Sequence, residues 1–351
     1  MNNGTNLQRI FPTCSRRRLL AASGVLVASK LAGLNGVSAD DEPDSVETKT
    51  SETKSVNESP EPAYTDSKTL QWRLGLKLRT PVTFTNGLAT FPIPMDWPEQ
   101  SVTVTGREVS GSVTQMQVRD LPGGARQAVI GIARMTANTS LEVLLDYQIE
   151  KRDIIAPGLT ETLVVPPRIL RELRVYMGSS PMIDTTHRQI RALSRELAVA
   201  SEADTSAWQT VRRIFDRVRQ EVTYTEGPIR NASDALNDGK GDCEDMTSLF
   251  VALCRNAEIP ARMVWIPGHC YPEFYLEQRG GGSDSGHWYP CQAAGSDLFG
   301  EMQEDRPILQ KGDRFKIPGH RKMVRYIVES FRCDRSGNGD PKIEFIREQV
   351  L

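Results

Sequence analysis

The sequence predicts an α+β protein in which an antiparallel β-sandwich precedes a domain of helices and strands. Two observations lead to this prediction. Between residues 68 and 165, apolar and polar residues alternate along short segments, as they do in strands that bury one face. From about residue 175 the apolar spacing becomes helical, and strand-like segments return after residue 260.

The composition is typical of a globular protein. The chain has 351 residues, of which 38% are hydrophobic, and this is enough to form two ordinary cores. Its 43 Lys and Arg residues nearly balance its 45 Asp and Glu residues. Nothing in this charge indicates nucleic acid as a partner.

The first 39 residues have the three parts of an export signal. Arginines occupy positions 16–18, a short and weakly apolar segment follows, and VSA at 37–39 forms a small-residue cleavage site. The pattern Ser-Arg-Arg-x-Leu-Leu at 15–20 is the twin-arginine type, which directs export of folded proteins. A membrane anchor is the alternative, but polar residues interrupt the segment before it reaches the about 18 apolar residues that a span needs. We therefore expect a bacterial-type exported protein, periplasmic or extracellular, without a stable membrane anchor after cleavage.

Residues 40–67 are predicted to be a disordered acidic linker. They are rich in Asp, Glu, Ser, Thr and Pro and almost lack large apolar side chains. Such a segment cannot bury enough surface to offset the entropy lost on ordering. No chemistry is assigned to it.

Alternating segments and turn sequences predict the β-sandwich over residues 68–165. In the first segment, Leu70, Trp72, Leu74, Leu76 and Leu78 alternate with Gln71, Arg73, Gly75, Lys77 and Arg79. Residues 140–153 alternate in the same way, and the turn sequences TNG at 85–87 and PGG at 122–124 separate strands. Short strands with regular turns are typical of a sandwich, and this one contains no reactive cluster.

Helical spacing and later strands predict an α+β domain over residues 175–335. The segments 184–200 and 204–220 each begin at an Asp suited to N-capping. A third helix is predicted to start near Cys243. Its buried stripe is Met246, Leu249, Phe250 and Leu253. Strand-like sequences follow at ARMVWI, YPEFYLE, HWYPCQ and VRYIVESFRC, and residues 336–351 are predicted to be a C-terminal tail.

Cys243 lies in the first turn of that third helix, within the sequence GDCEDM. Asp242 can act as N-cap, and the positive end of the helix dipole lies beside the sulfur. This setting lowers the pKa of a thiol from its reference value of about 8.5, particularly beside a protonated imidazole. The acidic residues that flank Cys243 argue against a core cysteine, which is the usual environment of a free thiol. Cys243 is therefore the candidate nucleophile.

A base and an orienting group are also present in the sequence. Of the four histidines, His269 stands between two strand-like segments. Gln292 ends the next strand, where its amide could accept a hydrogen bond from the imidazole. His187 is interpreted as an exposed residue of the first helix.

At these residues the chain resembles the transglutaminase-like superfamily, whose papain-like core uses Cys, His and Asp. The resemblance is carried by GDCED (241–245), RNAEIPAR (255–262), HCYPE (269–273) and WYPCQ (288–292). The family pattern is Gly-x-Cys-x-Asp, a helix ending in Arg before Gly-Ile-Pro-Ala-Arg, His-x-Trp-x-Glu, and Trp-x-Pro-x-Asp. The resemblance covers about residues 180–295 and implies a papain/transglutaminase-like core with Cys243 as nucleophile and His269 as general base.

Three positions depart from the family pattern. Glu258 replaces the glycine that usually ends the helix, so the C-cap must either use another geometry or accept a strained left-handed residue that costs about 1 kcal/mol. Tyr271 replaces Trp, which is a mild aromatic exchange. Gln292 replaces the acid, and its amide can fix the imidazole tautomer but stabilises an imidazolium less than a carboxylate would.

Aromatic residues are further candidates for the site. Tyr224 resembles an aromatic near the family's site and could line the substrate cleft or stabilise the oxyanion. Tyr271 and Trp288 are also cleft candidates, although Trp288, like Glu273, could equally support the fold.

Five cysteines remain after Cys14 is removed with the signal, so at least one is unpaired in an oxidising compartment. If His269 and Gln292 face each other on antiparallel strands, Cys270 and Cys291 are opposite each other too, on the other face of the sheet. This register suggests a Cys270–Cys291 disulfide. Two buried core cysteines are the alternative.

The predicted function is a cysteine-dependent amide hydrolase or acyltransferase that acts on peptide or protein substrates, with cell-envelope material as one candidate. The mechanism needs no cofactor. A zinc site is disfavoured because the cysteines and histidines lack the short spacings of zinc ligands. The alternative is a non-catalytic module of the same fold that binds peptide or cell-envelope material.

Overall fold

The computed structural model describes residues 58–199, 206–318 and 321–350. The predicted export signal and residues 40–57 of the predicted linker lie outside this part of the chain. The α-helices within it are α1 (Arg188–Val199), α2 (Ala207–Glu221), α3 (Ala232–Asp238) and α4 (Cys243–Asn256). Short 3₁₀ helices cover Thr160–Thr162, Glu172–Tyr176 and Ser283–Ser285. None of the described helices is long and apolar enough to span a membrane.

Strands contain more of the described residues than helices do. The strands that precede the helices are β1 (Ala63–Tyr64), β2 (Lys68–Thr80), β3 (Thr83–Ile93), β4 (Gln100–Val109), β5 (Gln115–Leu121), β6 (Ala125–Met135), β7 (Thr139–Lys151), β8 (Ile154–Ile155) and β9 (Leu163–Val164). The later strands are β10 (Thr223–Tyr224), β11 (Lys240–Gly241), β12 (Ala261–Ile266), β13 (His269–Gln278), β14 (Gly286–Pro290), β15 (Gln310–Lys311), β16 (Ser330–Ser336) and β17 (Lys342–Gln349).

The predicted alternation of β2 is confirmed, and it builds a core between two antiparallel sheets. One sheet has the order β17-β2-β7-β4, and the facing strands are β6, β3 and β16 with β5 beside β6. Leu74, Leu76 and Leu78 of β2 are buried against Phe84 and Ile130 of the facing strands. The protein is thus of the α+β class, with an antiparallel sandwich at one end.

The sandwich sheet continues into the strands that carry the candidate site. β15 joins the two parts, because Gln310 pairs with Ala125 of β6 and with Trp265 of β12. The resulting sheet has the order β14-β13-β12-β15-β6-β3-β16. Next to this junction Lys311 Nζ lies 2.5 Å from Glu99 and 2.6 Å from Glu273. Glu273 therefore supports the fold.

Two segment predictions are wrong. The predicted tail contains β17, which pairs with β2 over eight residues, from Lys342 opposite Arg79 to Gln349 opposite Trp72. It is therefore an edge strand of the sandwich. Residues 58–67 of the predicted disordered linker are also ordered. Here β1 pairs with β8, and the carbonyl of Pro60 accepts a hydrogen bond of 2.7 Å from the Tyr289 hydroxyl.

The helices surround α4 and press it against β12 and β13. The predicted stripe of α4 is too narrow, because every residue from Cys243 to Arg255 is buried. The helix α3 was not predicted, and it ends at Gly239 with φ +62°. It also explains why Asp184 does not cap α1, since the Asp184 carboxylate accepts a hydrogen bond of 3.1 Å from the Ser233 backbone in α3.

Of the two geometries considered for the end of α4, the structure shows the left-handed one, because Glu258 has φ +61°. Its neighbour Ile259 donates a backbone hydrogen bond of 2.9 Å to the Cys254 carbonyl, which closes the helix. Arg255 anchors the same end, and its guanidinium lies 2.7 Å from the Asp313 carboxylate, with both side chains fully buried. Glycine usually occupies such a position because it adopts positive φ without steric cost.

Candidate active site

The start of α4 is built by the acidic residues around Cys243. Asp242 is the N-cap, as predicted, and its Oδ1 accepts hydrogen bonds from the backbone N–H groups of Glu244 (2.8 Å) and Asp245 (3.2 Å). The Asp245 carboxylate in turn accepts a hydrogen bond of 3.2 Å from the Asp242 N–H, which completes a capping box. Cys243 is thereby fixed at the first helical position, where the helix dipole favours a negative charge.

The acidic residues beside Cys243 were expected to keep its thiol out of the core, but they do not. Asp242, Glu244 and Asp245 are themselves buried, and Cys243 is only 4% exposed. The capping box uses Asp242 and Asp245, and Glu244 lies 3.6 Å from the Arg325 guanidinium. Carboxylates can be buried in this way when hydrogen bonds or ion pairs compensate for lost hydration. The nucleophile therefore lies in a nearly closed site.

The structure brings Cys243, His269 and Gln292 together. His269 Nε2 lies 2.9 Å from Gln292 Oε1, and the ring is close enough to the Cys243 sulfur for each group to shift the pKa of the other. Since Nε2 faces the amide, Nδ1 is the ring nitrogen left for sulfur. The Gln292 amide nitrogen donates to Met302 Sδ at 3.4 Å, which orients the amide oxygen toward the ring.

Gln292 contacts His269, but not through the strand register that was predicted for this pair. The β13–β14 ladder pairs Glu273 with Pro290, two residues out of step with a pairing of His269 and Gln292. After Pro290 the chain leaves the ladder, and Cys291 forms a bridge with Phe299 instead. The Gln292 carbonyl then accepts a bond of 3.0 Å from Arg219 Nη1, so a helix side chain holds this turn in place.

The cysteine pairing predicted from that register is wrong. Cys270 and Cys291 are both buried free thiols. Because the ladder is shifted by two residues, the Cys291 backbone N–H bonds to Pro272, not to Cys270. Cys270 lies against the start of α4, where it adjoins Cys243. Cys291 lies deeper in the core, near Cys254.

The cluster favours an ionised sulfur and a charged ring. The pKa of Cys243 is lowered to about 4, because the Cys270 thiol, and then the His269 ring, hydrogen-bond to the thiolate and outweigh the opposing effect of burial. Burial alone would lower the pKa of His269, but hydrogen bonding to Cys243 and the thiolate charge raise it above 6.5. A thiolate–imidazolium pair is therefore favoured at pH values above the pKa of Cys243 and below the raised pKa of His269.

An ion pair not foreseen from the sequence braces the turn that carries His269. Arg306 contacts Glu304 through two nitrogens, at 2.7 and 2.6 Å, and its Nη1 donates to the Pro267 carbonyl at 3.2 Å. Pro267 stands two residues before His269, so this contact positions the ring. The sequence carried only a weak signal for this ion pair, because a Glu and an Arg at positions 304 and 306 do not form a recognisable motif.

The three aromatic candidates occupy different environments. Tyr224 is 53% exposed and pairs with Gly241, next to the start of α4, so it remains a cleft candidate. Tyr271 is 1% exposed and packs with Val264 and other core residues, so the prediction that it contacts substrate is wrong.

For Trp288 the structure favours the alternative that it supports the fold. It pairs with Tyr275, which lies six positions after His269 along β13. At about 3.3 Å per residue, this is a distance of about 20 Å. There its ring lies 3.9 Å from the Arg262 guanidinium, which is bound to Glu273. Trp288 therefore shields a buried ion pair.

A family model identifies the segment that carries this cluster. Residues 191–293 match the transglutaminase-like superfamily. The segment is similar to a transglutaminase-like domain. It contains α2, α3 and α4 with β12, β13 and β14, and hence Cys243, His269 and Gln292. No curated protein sequence matches the chain significantly.

One solved structure shares the fold of most of this chain, and a second was found with a lower similarity. A candidate cysteine protease from Cytophaga hutchinsonii superposes with a TM-score of 0.55 over 82% of this chain and 93% of its own, at 16% identity. The periplasmic domain of TgpA from Pseudomonas aeruginosa, bound to ethylmercury, covers 64% of this chain and 89% of its own at 15% identity, with a TM-score of 0.30. The first similarity shows a common fold.

The lowered pKa of Cys243 leads to a testable prediction. Because only the thiolate reacts, alkylation of Cys243 by iodoacetamide should rise with pH through a midpoint near about 4 and be on a plateau by about pH 6. Mass spectrometry of labelled peptides between about pH 3 and pH 9 would measure this. The internal control is Cys333, whose pKa is raised by burial and which should label only at alkaline pH. Cys243 labelling with a midpoint above about pH 8 would contradict the prediction.

Proposed function

We propose that the chain is a cysteine-dependent amide hydrolase or acyltransferase in which Cys243 is the nucleophile. The observation that carries this proposal is the contact of the Cys243 sulfur with the His269 ring, while Gln292 holds the opposite ring nitrogen at 2.9 Å. A nucleophile, a base and an orienting group in this order form the arrangement required for thiol acyl transfer. The recurrence of the fold in a candidate cysteine protease supports the same reaction class.

In the proposed reaction the Cys243 thiolate attacks an amide carbonyl, and the backbone N–H of Cys243 helps to stabilise the oxyanion. The His269 imidazolium gives its proton to the leaving amine, which releases a thioester. His269 then takes a proton from water or from an acceptor amine, which attacks the thioester and regenerates the thiolate. Gln292 keeps the ring in one orientation throughout, without the carboxylate charge that the family pattern has at this position.

The proposed substrates are peptide or protein amides, with cell-envelope material as one source. Tyr224 is proposed to line the approach to the nucleophile, since it is exposed beside the strand that leads into Cys243. Export through the twin-arginine-type signal in residues 1–39 is proposed from the sequence, and it would place the enzyme outside the cytoplasm.

The proposal is tested by assaying the purified wild type and Cys243→Ala against a library of peptide amides, with and without a primary amine acceptor. Turnover should depend on Cys243, and the product should be an acid in water or a new amide when the amine is present. Cys291→Ala is the matched control, because Cys291 is an equally buried cysteine away from His269. If the wild type binds peptides but turns over none of them, the non-catalytic module is the better interpretation.

A further inference from the structure

A second thiol lies against the candidate nucleophile. Cys270 is the second residue of β13, and its thiol adjoins the Cys243 sulfur closely enough to lower the pKa of that sulfur. Its sulfur also lies 3.9 Å from Thr247 Oγ1. Thr247 follows Cys243 by about one helical turn, so two contacts place the Cys270 sulfur over the first turn of α4.

The two thiols have opposite character. Cys243 is the thiolate and adjoins the half-buried ring of His269. Cys270 is 1% exposed, and burial, together with the neighbouring Cys243, raises its pKa well above 9. Reversible thiol oxidation requires this combination, in which a thiolate reacts with peroxide and an adjacent thiol condenses with the product.

We propose that Cys243 and Cys270 form a modification site at which a hydroperoxide drives formation of a reversible disulfide. This inference rests on the thiolate of the proposed function, but not on any reaction with an amide. The oxidised form would block the nucleophile and protect it from irreversible oxidation to sulfinic and sulfonic acids.

The proposed chemistry has two balanced steps. The Cys243 thiolate attacks the hydroperoxide, the O–O bond breaks, Cys243 becomes a sulfenic acid, and the leaving oxygen takes the His269 proton. The Cys270 sulfur then attacks the sulfenic sulfur, the S–O bond breaks, and the released hydroxide leaves as water with the Cys270 proton. One hydroperoxide is reduced for each disulfide formed, and a dithiol reductant restores both thiols.

The other buried cysteines do not offer this chemistry. Cys254 and Cys291 lie near each other in the core, and burial raises the pKa of each well above 9. A disulfide requires an attacking thiolate and two sulfurs that can approach to about 2.05 Å. Within the described residues, this core pair therefore lacks a lowered thiol pKa and serves as the internal comparison.

The experiment treats the purified full-length chain with hydrogen peroxide, blocks free thiols with iodoacetamide and digests it with trypsin without reductant. Trypsin separates peptide 241–255, which carries Cys243 and Cys254, from peptide 263–279, which carries Cys270. We expect these two peptides to be joined, with fragment ions that assign the bond to Cys243. Dithiothreitol should separate them and restore alkylation of Cys243.

Two variants make the test specific. In Cys270→Ala the joined peptides should be absent, and Cys243 should proceed to a sulfinic acid that dithiothreitol does not reverse. Cys270→Ser, which keeps a small polar side chain, should behave like Cys270→Ala and replaces it if the alanine variant does not fold. Cys291→Ala is the matched control and should form the bond as the wild type does.

The proposal is overturned if wild-type Cys243 reaches sulfinic acid as fast as it does in Cys270→Ala, or if peroxide joins Cys254 to Cys291 and leaves Cys270 free. Neither measurement uses an amide substrate. A protein that forms the bond but cleaves no amide would therefore refute only the proposed function.

Discussion

Replacing His269 by alanine is expected to lower amide turnover at neutral pH by about 10³-fold, within the range usual for a lost acid–base group. The variant loses the ring that hydrogen-bonds to the Cys243 sulfur and that would protonate the leaving amine. Alkylation of Cys243 near pH 6 should slow as well, because one of the two groups that lower the thiol pKa is missing. Steady-state assays and iodoacetamide kinetics measure the two effects separately.

The matched control is His187→Ala, which removes an exposed imidazole in the turn before α1. It should leave both rates unchanged. The thiol's pKa should not return fully to its ordinary value in His269→Ala, since Cys270 still donates to the sulfur. Unchanged amide turnover in His269→Ala would exclude His269 as the base and with it the proposed mechanism.

Replacing Asp313 by alanine is expected to lower the free energy of unfolding by about 3–5 kcal/mol, because it leaves the Arg255 guanidinium buried without its partner. Both side chains have no exposed surface, and two hydrogen bonds of 2.9 and 2.7 Å join Arg255 Nη2 to the carboxylate. The pair ties the end of α4 to the segment after β15. Urea unfolding followed by circular dichroism would measure the loss.

The control for this prediction is Asp216→Ala on α2. It also removes an aspartate that pairs with an arginine, but Arg212 and Asp216 are both about half exposed. Such a pair contributes only about 0.5 kcal/mol or less. Equal stability of the Asp313→Ala and Asp216→Ala variants would show that burial does not determine the importance of the Arg255–Asp313 pair.

Local patterns predicted much of the candidate site. The cap at Asp242 and the helix beginning at Cys243 follow from residue preferences within a few positions. The left-handed Glu258 was one of two geometries that the family pattern allowed. The contact between His269 and Gln292 was predicted as well, but the prediction assumed that the two residues pair across β13 and β14, which they do not. The ladder of β13 and β14 ends before either residue, and the contact is made by the turn that Arg219 holds.

The errors concern residues whose environment depends on distant parts of the chain. Trp288 matched a family motif, yet its strand register places it about 20 Å along β13 from His269. The acidic flank of Cys243 suggested an exposed thiol, but a capping box and the Arg325 ion pair allow those carboxylates to be buried. Alternation within β17 was not recognised because its partner, β2, lies more than 250 residues earlier.

The sequence by itself determined the α+β class and the helix that presents Cys243, because helix caps and strand alternation are encoded by near neighbours. It also determined which groups can act on the Cys243 sulfur. Only the tertiary structure decided that Cys270 rather than Cys291 adjoins the nucleophile and that one sheet unites the sandwich with the site. Strand register is the physical reason. A shift of two residues keeps every side chain on its face and therefore leaves the hydrophobic pattern unchanged, while it changes every cross-strand partner.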